Sequence, residues 1–356
     1  MNMYNQNKYL VDIRCFTFQH VNYISDALNG FCIQKTSFPF IILVVDDAST
    51  DGEQEVIYNY MSDHFNVTDE GIAWRRETED GVYSYAQHKT NKNCFMMALC
   101  LRKNLHAIKG AKMKLIAEWR NSCKYEALCE GDDYWTDPLK LQRQVDFLEE
   151  HEEYSLCCHR YKIFEEDGNV WKPDYVVDLF EQNPDGFSFT STDNLYHWIT
   201  KTMTIMYRKS ALPNGYGEKY RYCRDVHMNY HLLQNGPGYC MPNDMAVYRR
   251  HGGGVFSPLN NKEKKRINLL VYHEILEANP NDAELGIYLK ACYDRYFGDF
   301  VRKPLYNHQI NQEVRKDIQL VVDGYKFWMG RKSNFFVLKK CVKSFYGGFR
   351  RKNGQR

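Results

Sequence analysis

The stretch FIILVVDD, residues 40–47, joins a run of six apolar residues directly to two aspartates. A strand that is apolar on both faces is typical of a parallel sheet covered by helices on both sides. Upstream, residues 11–18 begin with the alternation of a strand, and Ile24, Leu28 and Phe31 then recur at helical spacing. The order strand, helix, strand predicts an α/β fold built on a mostly parallel sheet.

Two acidic clusters follow predicted strands. They are Asp46 with Asp47, and Glu130 with Asp132 and Asp133. Ligands of open α/β sheets bind at the carboxyl ends of the strands, so we expect both clusters to lie at one site. Closely spaced carboxylates repel one another unless a cation lies between them, and such oxygen donors suit Mg²⁺ or Mn²⁺, which completes its shell with substrate phosphates. The alternative is ordinary turn chemistry, in which aspartate is common.

Helix signals follow both clusters. Thr50 and Glu53 have capping-box spacing, and Asp137-Pro138 is typical of an N-cap and a first helical residue. Residues 165–200 give no clear pattern. Downstream, the sequence predicts short strands at 203–208 and 245–249 and helices at 261–278 and 282–297.

Composition is that of a globular protein, with 356 residues of which 26% are charged and 44% hydrophobic. A net charge of +2 gives no general case for nucleic acid as a partner. The first residues lack the apolar core of a signal peptide, and no apolar run approaches the roughly 20 residues needed to cross a bilayer. Twelve cysteines without a CxxC motif indicate reduced thiols, so a cytoplasmic location is expected.

The end of the chain is strongly basic. Residues 325–356 contain ten basic and no acidic residues, whereas the remainder has 37 basic and 45 acidic ones. In this tail one helical face would carry Phe335, Leu338, Cys341, Val342, Phe345 and Phe349, and the other Lys339, Lys340 and Lys343. This pattern is typical of a helix lying on an anionic membrane, which predicts a peripheral position on the inner face of the cell membrane. The alternative is a helix that docks on its own domain or on a partner.

Three segments carry a resemblance to a known family. VVDDASTDG (44–52) and ALCEGDDYWTDPLKLQRQVDFLEEH (127–151) resemble the family 2 glycosyltransferases of GT-A fold, especially bacterial members of surface-polysaccharide synthesis. DIRCFTFQHVNYISDAL (12–28) resembles the first strand and helix, with TFQH in place of the usual P-x-Y-N loop. YRYCRDVHMNYHLLQNGPGYCMPNDMAVYRRHGGG (220–254) looks like the acceptor-side segment. The resemblance implies a Rossmann-like sheet with flanking helices and a C-terminal helical segment.

The resemblance also implies roles for individual residues. The nucleotide sugar would lie against Thr17, Phe18, Asp46, Asp47 and Asp132. Of these, Asp47 with Asp46 would contact the base, Asp132 would lie near the ribose, and the backbone of Thr17 and Phe18 would flank the base. Asp133 would hold the divalent metal, Mn²⁺ or Mg²⁺, that bridges the diphosphate.

On the acceptor side, the resemblance places Asp225 at the general base position. Arg224 would lower the pKa of Asp225 if the two form an ion pair. A helix cap is the alternative role for Asp225. His251, which precedes three glycines, matches a histidine that contacts the metal or the pyrophosphate, and a solvated loop histidine is the alternative.

The function implied is inverting transfer of a sugar from a nucleoside-diphosphate donor, a UDP-sugar, to a hydroxyl of a saccharide or lipid-linked acceptor in cell-surface polysaccharide synthesis. Alternatives are a non-catalytic sugar-nucleotide-binding protein of the same fold and a nucleotidyltransferase. No lysine-bearing P-loop, GxGxxG, HExxH or GxSxG motif is present, which removes several other enzyme classes. The expected division is a nucleotide-sugar half (1–160), an acceptor half (161–258), a helical region (259–324) and the basic tail (325–356).

Overall fold

A single sheet dominates the computed structural model, which describes residues 8–221, 223–254 and 259–353 and has twelve strands in these ranges. The strands are β1 (Val11–Thr17), β2 (Phe40–Asp46), β3 (Trp74–Glu77), β4 (Gly81–Gln87), β5 (Cys94–Leu101), β6 (Tyr125–Leu128), β7 (Tyr134–Trp135), β8 (Leu156–Glu165), β9 (Val170–Pro173), β10 (Phe187–Phe189), β11 (Met206–Arg208) and β12 (Gly238–Arg250). Their order is β10-β12-β8-β11-β6-β1-β2-β5-β4-β3, with β7 paired to β12 and β9 to β8.

The centre of the sheet is parallel, as the sequence predicts. Strands β6, β1, β2 and β5 pair in parallel, and Val11 lies opposite Phe40 on one side and Tyr125 on the other. Every residue of β2 is buried. Because successive side chains of a strand point to opposite faces, Ile42 and Val44 enter one core and Leu43 enters the other.

Helices cover both faces of the sheet and follow it toward the C-terminus. They are α1 (Ile24–Cys32), α2 (Glu53–His64), α3 (Ala111–Leu115), α4 (Ala117–Arg120), α5 (Lys140–Glu150), α6 (Val177–Phe180), α7 (Ser191–His197), α8 (Asp225–Gln234), α9 (Asn261–Ala278), α10 (Ala283–Tyr296), α11 (Lys303–Tyr306), α12 (Gln312–Met329) and α13 (Ser333–Asn353). Helices α9 and α10 confirm the two predicted from the sequence. In the part of the chain that the structure describes, no helix has the length and apolar character needed to cross a membrane.

The chain divides into two compact units. The first comprises residues 1–218 and 223–257 and contains the whole sheet, and the second comprises residues 219–222 and 258–356 and contains α9 to α13. Within the second unit, α9 begins with a capping box between Asn260 and Glu263, and α10 is capped by Asp282. These caps satisfy backbone amides at the helix starts, which lie within one residue of the starts predicted from the sequence.

Two predicted helix starts are wrong. Helix α2 has Gly52, in left-handed conformation with φ of 99°, at its N-cap instead of Thr50. Helix α5 begins at Lys140 instead of Pro138, and Asp137 instead accepts a hydrogen bond of 2.8 Å from the Leu139 amide in the preceding turn. Both errors have one cause: the side chains that fit a cap make other hydrogen bonds in the folded chain.

Candidate active site

Three loops meet at the carboxyl edge of the parallel strands: residues 17–20 after β1, residues 46–53 after β2, and residues 130–133, here called the acidic loop. The Asp47 amide donates a hydrogen bond of 3.0 Å to the Thr17 carbonyl, and the Gly131 amide donates one of 3.3 Å to the Phe16 carbonyl. A Cβ atom at position 131 would clash with Thr17 Oγ1. Glycine therefore lets the acidic loop approach β1 closely.

Glu53 ties the first two loops together. Its buried carboxylate accepts hydrogen bonds from Thr17 Oγ1, from the His20 amide at 2.9 Å and from Ser49 Oγ at 2.9 Å. Burial raises the pKa of Glu53, while these donors oppose the rise. The residue that the sequence assigns to a capping box thus holds the site loops in place.

A histidine–aspartate cluster forms where the acidic loop meets the end of β12. Asp132 Oδ2 lies 3.2 Å from His251 Nε2 and 3.7 Å from His20 Nε2. One ligand atom from each of the three residues lies within 4.8 Å of the other two. Asp132 Oδ1 is buried and has no hydrogen-bond partner among the described residues. Asp132 therefore offers Oδ2 between two imidazoles and Oδ1 without a partner, and this set of donors fits a divalent cation. Imidazole nitrogens suit transition ions and carboxylate oxygens suit Mn²⁺ among them.

The electrostatics of this cluster favour the metal-binding forms of His20 and Asp132. Burial lowers the pKa of His20 although the charge of Asp132 opposes it. Burial acts to raise the pKa of Asp132, but the hydrogen bond with His251 and the charges of the two histidines in their protonated forms outweigh it and leave that pKa lowered. A neutral imidazole and an ionised carboxylate are the forms that bind metal ions.

Asp133 lies beside this cluster in a different environment. Its carboxylate is buried, and Oδ1 accepts a hydrogen bond of 2.8 Å from the Arg249 amide. Burial, followed by the charge of Asp132, raises the pKa of Asp133 well above its ordinary value. The structure therefore brings Asp132 and His251 together and places Asp133 against β12, and the role of Asp133 as a metal ligand stays a prediction.

Arg249 is a cation that sequence reasoning missed. Its guanidinium donates to the Asp132 carbonyl at 3.2 Å and to the Asp26 carboxylate at 2.7 Å. It also lies over the rings of Tyr23 and Tyr134, at 4.7 and 5.0 Å from their centroids. The position of Arg249 depends on the pairing of β7 with β12, which joins segments more than a hundred residues apart.

The two aspartates after β2 have protein partners. Asp47 is buried, with Oδ1 accepting from the Leu105 amide at 2.6 Å and Oδ2 2.7 Å from Lys112 Nζ. Asp46 Oδ1 accepts from the Ser49 amide at 3.0 Å, while its buried Oδ2 has no partner in the described ranges. Both carboxylates shape the loop, and their contact with a nucleotide base stays a prediction. Phe18, also predicted to flank the base, is 43% exposed.

Asp225 is the first residue of α8 and is exposed, next to its N-cap Arg224. Glu130 is also exposed, yet desolvation by the surrounding loops and then the charges of Asp132 and Asp225 raise its pKa to about 7. Burial lowers the pKa of Lys201, and the charges of Asp225 and Asp133 oppose this. The charge of Asp225 therefore acts on Glu130 in the acidic loop and on Lys201, a residue that the sequence did not reveal.

All the predicted site residues lie in the first unit. The loops bring Thr17, Asp47 and Asp132 to one edge of the sheet, as the sequence predicts. The sequence did not reveal the other residues of this region, which are His20, Glu53, Arg249 and Lys201. A signal for His20 was present, since TFQH (17–20) lies at the end of the first strand and ends in a histidine.

Sequence comparisons give relatives without an assigned activity. No family model matches the chain. Over 257 residues the chain is 28% identical to uncharacterized protein Mb1547 of Mycobacterium bovis and to uncharacterized protein Rv1520 of Mycobacterium tuberculosis. The match covers 69% of this chain and 60% of each relative, so the chain spans about 60% of the length of these curated relatives.

Solved structures show the fold. The chain is similar to S. aureus TarS 1-349 in complex with UDP, with a TM-score of 0.56, 15% identity, and coverage of 98% of this chain and 92% of that one. A longer S. aureus TarS structure gives a TM-score of 0.55 and 15% identity, and covers 94% of this chain and 54% of that one. At 15% identity the likeness shows the fold alone. It confirms the predicted α/β GT-A fold of glycosyltransferases with a C-terminal helical segment.

Proposed function

We propose that the chain is an inverting glycosyltransferase that moves a sugar from a nucleoside-diphosphate donor to an acceptor hydroxyl. The observation that carries this proposal is the cluster of His20, Asp132 and His251 at the carboxyl edge of a GT-A sheet. Parallel α/β sheets bind their ligands at this edge. The complex of TarS with UDP supports a uridine diphosphate sugar as the donor class.

The donor end of the site neutralises the diphosphate. A divalent cation, Mn²⁺ or Mg²⁺, would supply positive charge against the departing diphosphate when bound by His20, Asp132 and His251. Glu53 and Gly131 fix the two loops that carry His20 and Asp132, and Arg249 anchors the acidic loop to β12, which His251 follows. The protein thus prepares the geometry before the donor binds.

The acceptor end removes a proton. Asp225 is exposed at the start of α8, where a substrate hydroxyl can reach it, and its charge acts on Glu130 and Lys201. As general base it accepts the hydroxyl proton while the oxygen attacks the anomeric carbon from the side opposite the leaving diphosphate. A single displacement of this kind inverts the anomeric centre.

We propose a saccharide or lipid-linked acceptor in surface-polysaccharide synthesis and a peripheral membrane position for the enzyme. Support comes from α13, where Phe335, Leu338, Val342 and Tyr346 are exposed at 72, 61, 46 and 61% and recur at helical spacing. Cys341, predicted on the same face, is instead buried, and Phe345 packs on His308 at 4.5 Å between ring centroids. The Phe349 side chain lies outside the described residues. The exposed strip beside Lys339 and Lys343 fits an anionic lipid surface.

A donor panel tests the proposed function. The purified chain is incubated with UDP-, GDP- and TDP-sugars and Mn²⁺, and nucleoside diphosphate release is measured with and without oligosaccharide acceptors. We expect release with one class of donor and an increase when acceptor is added. Binding of a donor without any release would favour a non-catalytic sugar-nucleotide-binding protein, and release of pyrophosphate from nucleoside triphosphates would favour a nucleotidyltransferase.

A further inference from the structure

A groove of about 580 Å³ lies on the sheet surface formed by β7, β12, β8 and β9. We call it the hairpin groove and define it by Tyr134, Arg160, Lys162, Trp171, Lys172 and Asp244. One row of paired residues crosses all four strands: Tyr134 opposite Val247, Val247 opposite Lys162, and Lys162 opposite Pro173. Paired residues in neighbouring strands place their side chains on the same face, so this row forms the groove floor.

The groove exposes aromatic surface. Trp171 is 53% exposed on β9, an outer strand whose four residues are all exposed, and its ring packs on Phe164 at 4.8 Å between centroids. At the other end, the Tyr134 ring is only partly buried. The exposed ring of Trp171 leaves apolar area in water that a ligand lying in the groove can cover.

Two of the three cations in the groove lining have carboxylate partners. Arg160 is paired with Asp174 at 2.9 Å, and Lys172 with Glu165 at 2.6 Å. The other two charged residues of the hairpin groove, Lys162 and Asp244, are exposed and of opposite sign. Such a lining offers hydrogen-bond donors and acceptors of both signs, with Arg160 and Lys172 already paired, which suits a neutral polyhydroxylated ligand.

A backbone irregularity brings Asp244 into the groove. The pairing of β12 with β8 shifts register between Met241 and Asp244 and again between Asp244 and Ala246. Bulges of this kind redirect a side chain and are frequent beside binding sites. The acid therefore sits in the groove because the strand departs from regular pairing.

The groove leads toward the candidate active site. Tyr134 directly follows Asp133, and its ring lies 5.0 Å from the Arg249 guanidinium. The same guanidinium donates to the Asp132 carbonyl. A ligand lying across Tyr134 would thus be positioned next to the acidic loop.

We propose that the hairpin groove binds a segment of neutral saccharide chain, with Trp171 and Tyr134 stacking on sugar rings and Lys162 and Asp244 bonding to hydroxyl groups. That this saccharide is the acceptor of the transfer rests on the proposed function. That the saccharide binds in the hairpin groove does not depend on it. Aromatic faces match the apolar C–H faces of sugar rings, and the flanking charged groups match their equatorial hydroxyls. The volume of the groove is that of an ordinary ligand site.

The test measures saccharide binding in the absence of donor and metal. Neutral gluco-, manno-, galacto- and N-acetylglucosamine oligosaccharides and an anionic galacturonate oligosaccharide are titrated by calorimetry and by saturation-transfer NMR. We expect a neutral oligosaccharide to bind, and Trp171→Ala to weaken binding by about five- to tenfold, since a ring contact is worth roughly 1 kcal/mol. Val170→Ala, at the adjacent exposed position outside the groove lining, is the matched control and should bind as the wild type does.

Asp244→Asn, on a different strand, provides a second variant if Trp171→Ala fails to fold, and it should also weaken binding. The proposal is overturned if no neutral saccharide binds, if only the galacturonate binds, or if folded Trp171 and Asp244 variants bind as tightly as the wild type. Saccharide binding without diphosphate release from any donor would reject the proposed function and leave the groove proposal standing. Release of nucleoside diphosphate without any saccharide binding would reject the groove proposal and leave the proposed function standing.

Discussion

The carboxylate of Asp132 lies 3.2 Å from the imidazole of His251, although 119 positions separate the two residues in the chain. The contact exists because β12 ends beside the acidic loop, where the Arg249 amide also bonds to Asp133. His20 completes the cluster from a third loop. A metal ion bound here would join three distant segments of the chain.

Replacing His251 with alanine is expected to weaken Mn²⁺ binding by at least about tenfold, because one of three ligands is lost. Titration followed by Mn²⁺ electron paramagnetic resonance measures the affinity. His106→Ala, which removes an exposed histidine outside the cluster, is the matched control and should bind Mn²⁺ as the wild type does. Equal affinities in the two variants would show that the cluster is not the metal site.

The raised pKa of Asp133 predicts how the stability of the protein changes with pH. Its pKa in the folded chain is raised above the ordinary 3.8, so the folded state holds a proton that the unfolded state releases. The stability of the metal-free wild type relative to Asp133→Asn should therefore be greatest at acidic pH and fall as pH rises above about 4. Asparagine keeps an oxygen for the Arg249 amide and carries no buried charge.

Thermal unfolding in EDTA between pH 5 and 8 measures this difference, and we expect the variant to gain a few degrees relative to the wild type toward pH 8. If the difference in melting temperature between the variant and the wild type does not change with pH, the raised pKa of Asp133 is contradicted. Repeating the scans with Mn²⁺ tests the predicted ligand role, because a wild type stabilised by Mn²⁺ beside an unresponsive variant would assign Asp133 to the metal.

Asp225→Asn is expected to lower the transfer rate by about 10² to 10⁴, since proton removal by a positioned base contributes that much. Donor binding should persist, because Asp225 is exposed at the start of α8 and outside the histidine–aspartate cluster. Asp178→Asn alters an exposed aspartate in the first turn of α6 and is the control. Full activity in Asp225→Asn, with NMR of the product anomer as a check on inversion, would reject the assigned base.

The sequence predicts features that depend on neighbouring residues and misses those that depend on distant pairing. The strand at 40–46 is predictable because its apolar run is continuous, and α9 because its periodicity is local. Glu53 is misassigned to a cap because its partner Thr17 comes from another strand. Arg249 escapes detection because its place beside Asp132 follows from strand pairing across the sheet.

The amphipathic helix α13 predicts membrane binding. Phe335→Ser with Leu338→Ser removes two exposed apolar side chains while Val337, on the buried face, is kept. We expect the double variant to lose most of its co-flotation with phosphatidylglycerol vesicles, because interfacial binding scales with buried apolar area. Ile287→Ser removes an exposed apolar residue of α10 and should leave flotation unchanged. Equal flotation of wild type and double variant would leave the strip without a lipid role.

Gly131→Ala tests whether the close approach of the acidic loop to β1 matters. An added Cβ would clash with Thr17 Oγ1, whose hydroxyl donates to Glu53, so either the loop or this bond must move. We expect a loss of about 1 to 3 kcal/mol in the free energy of unfolding, measured by urea denaturation, together with weaker Mn²⁺ binding because Asp132 shifts with the loop. Gly252→Ala is the matched control, since no atom lies within 4 Å of a Cβ at that position. If both glycine variants are equally stable and bind Mn²⁺ alike, the loop contact does not hold Asp132 in place.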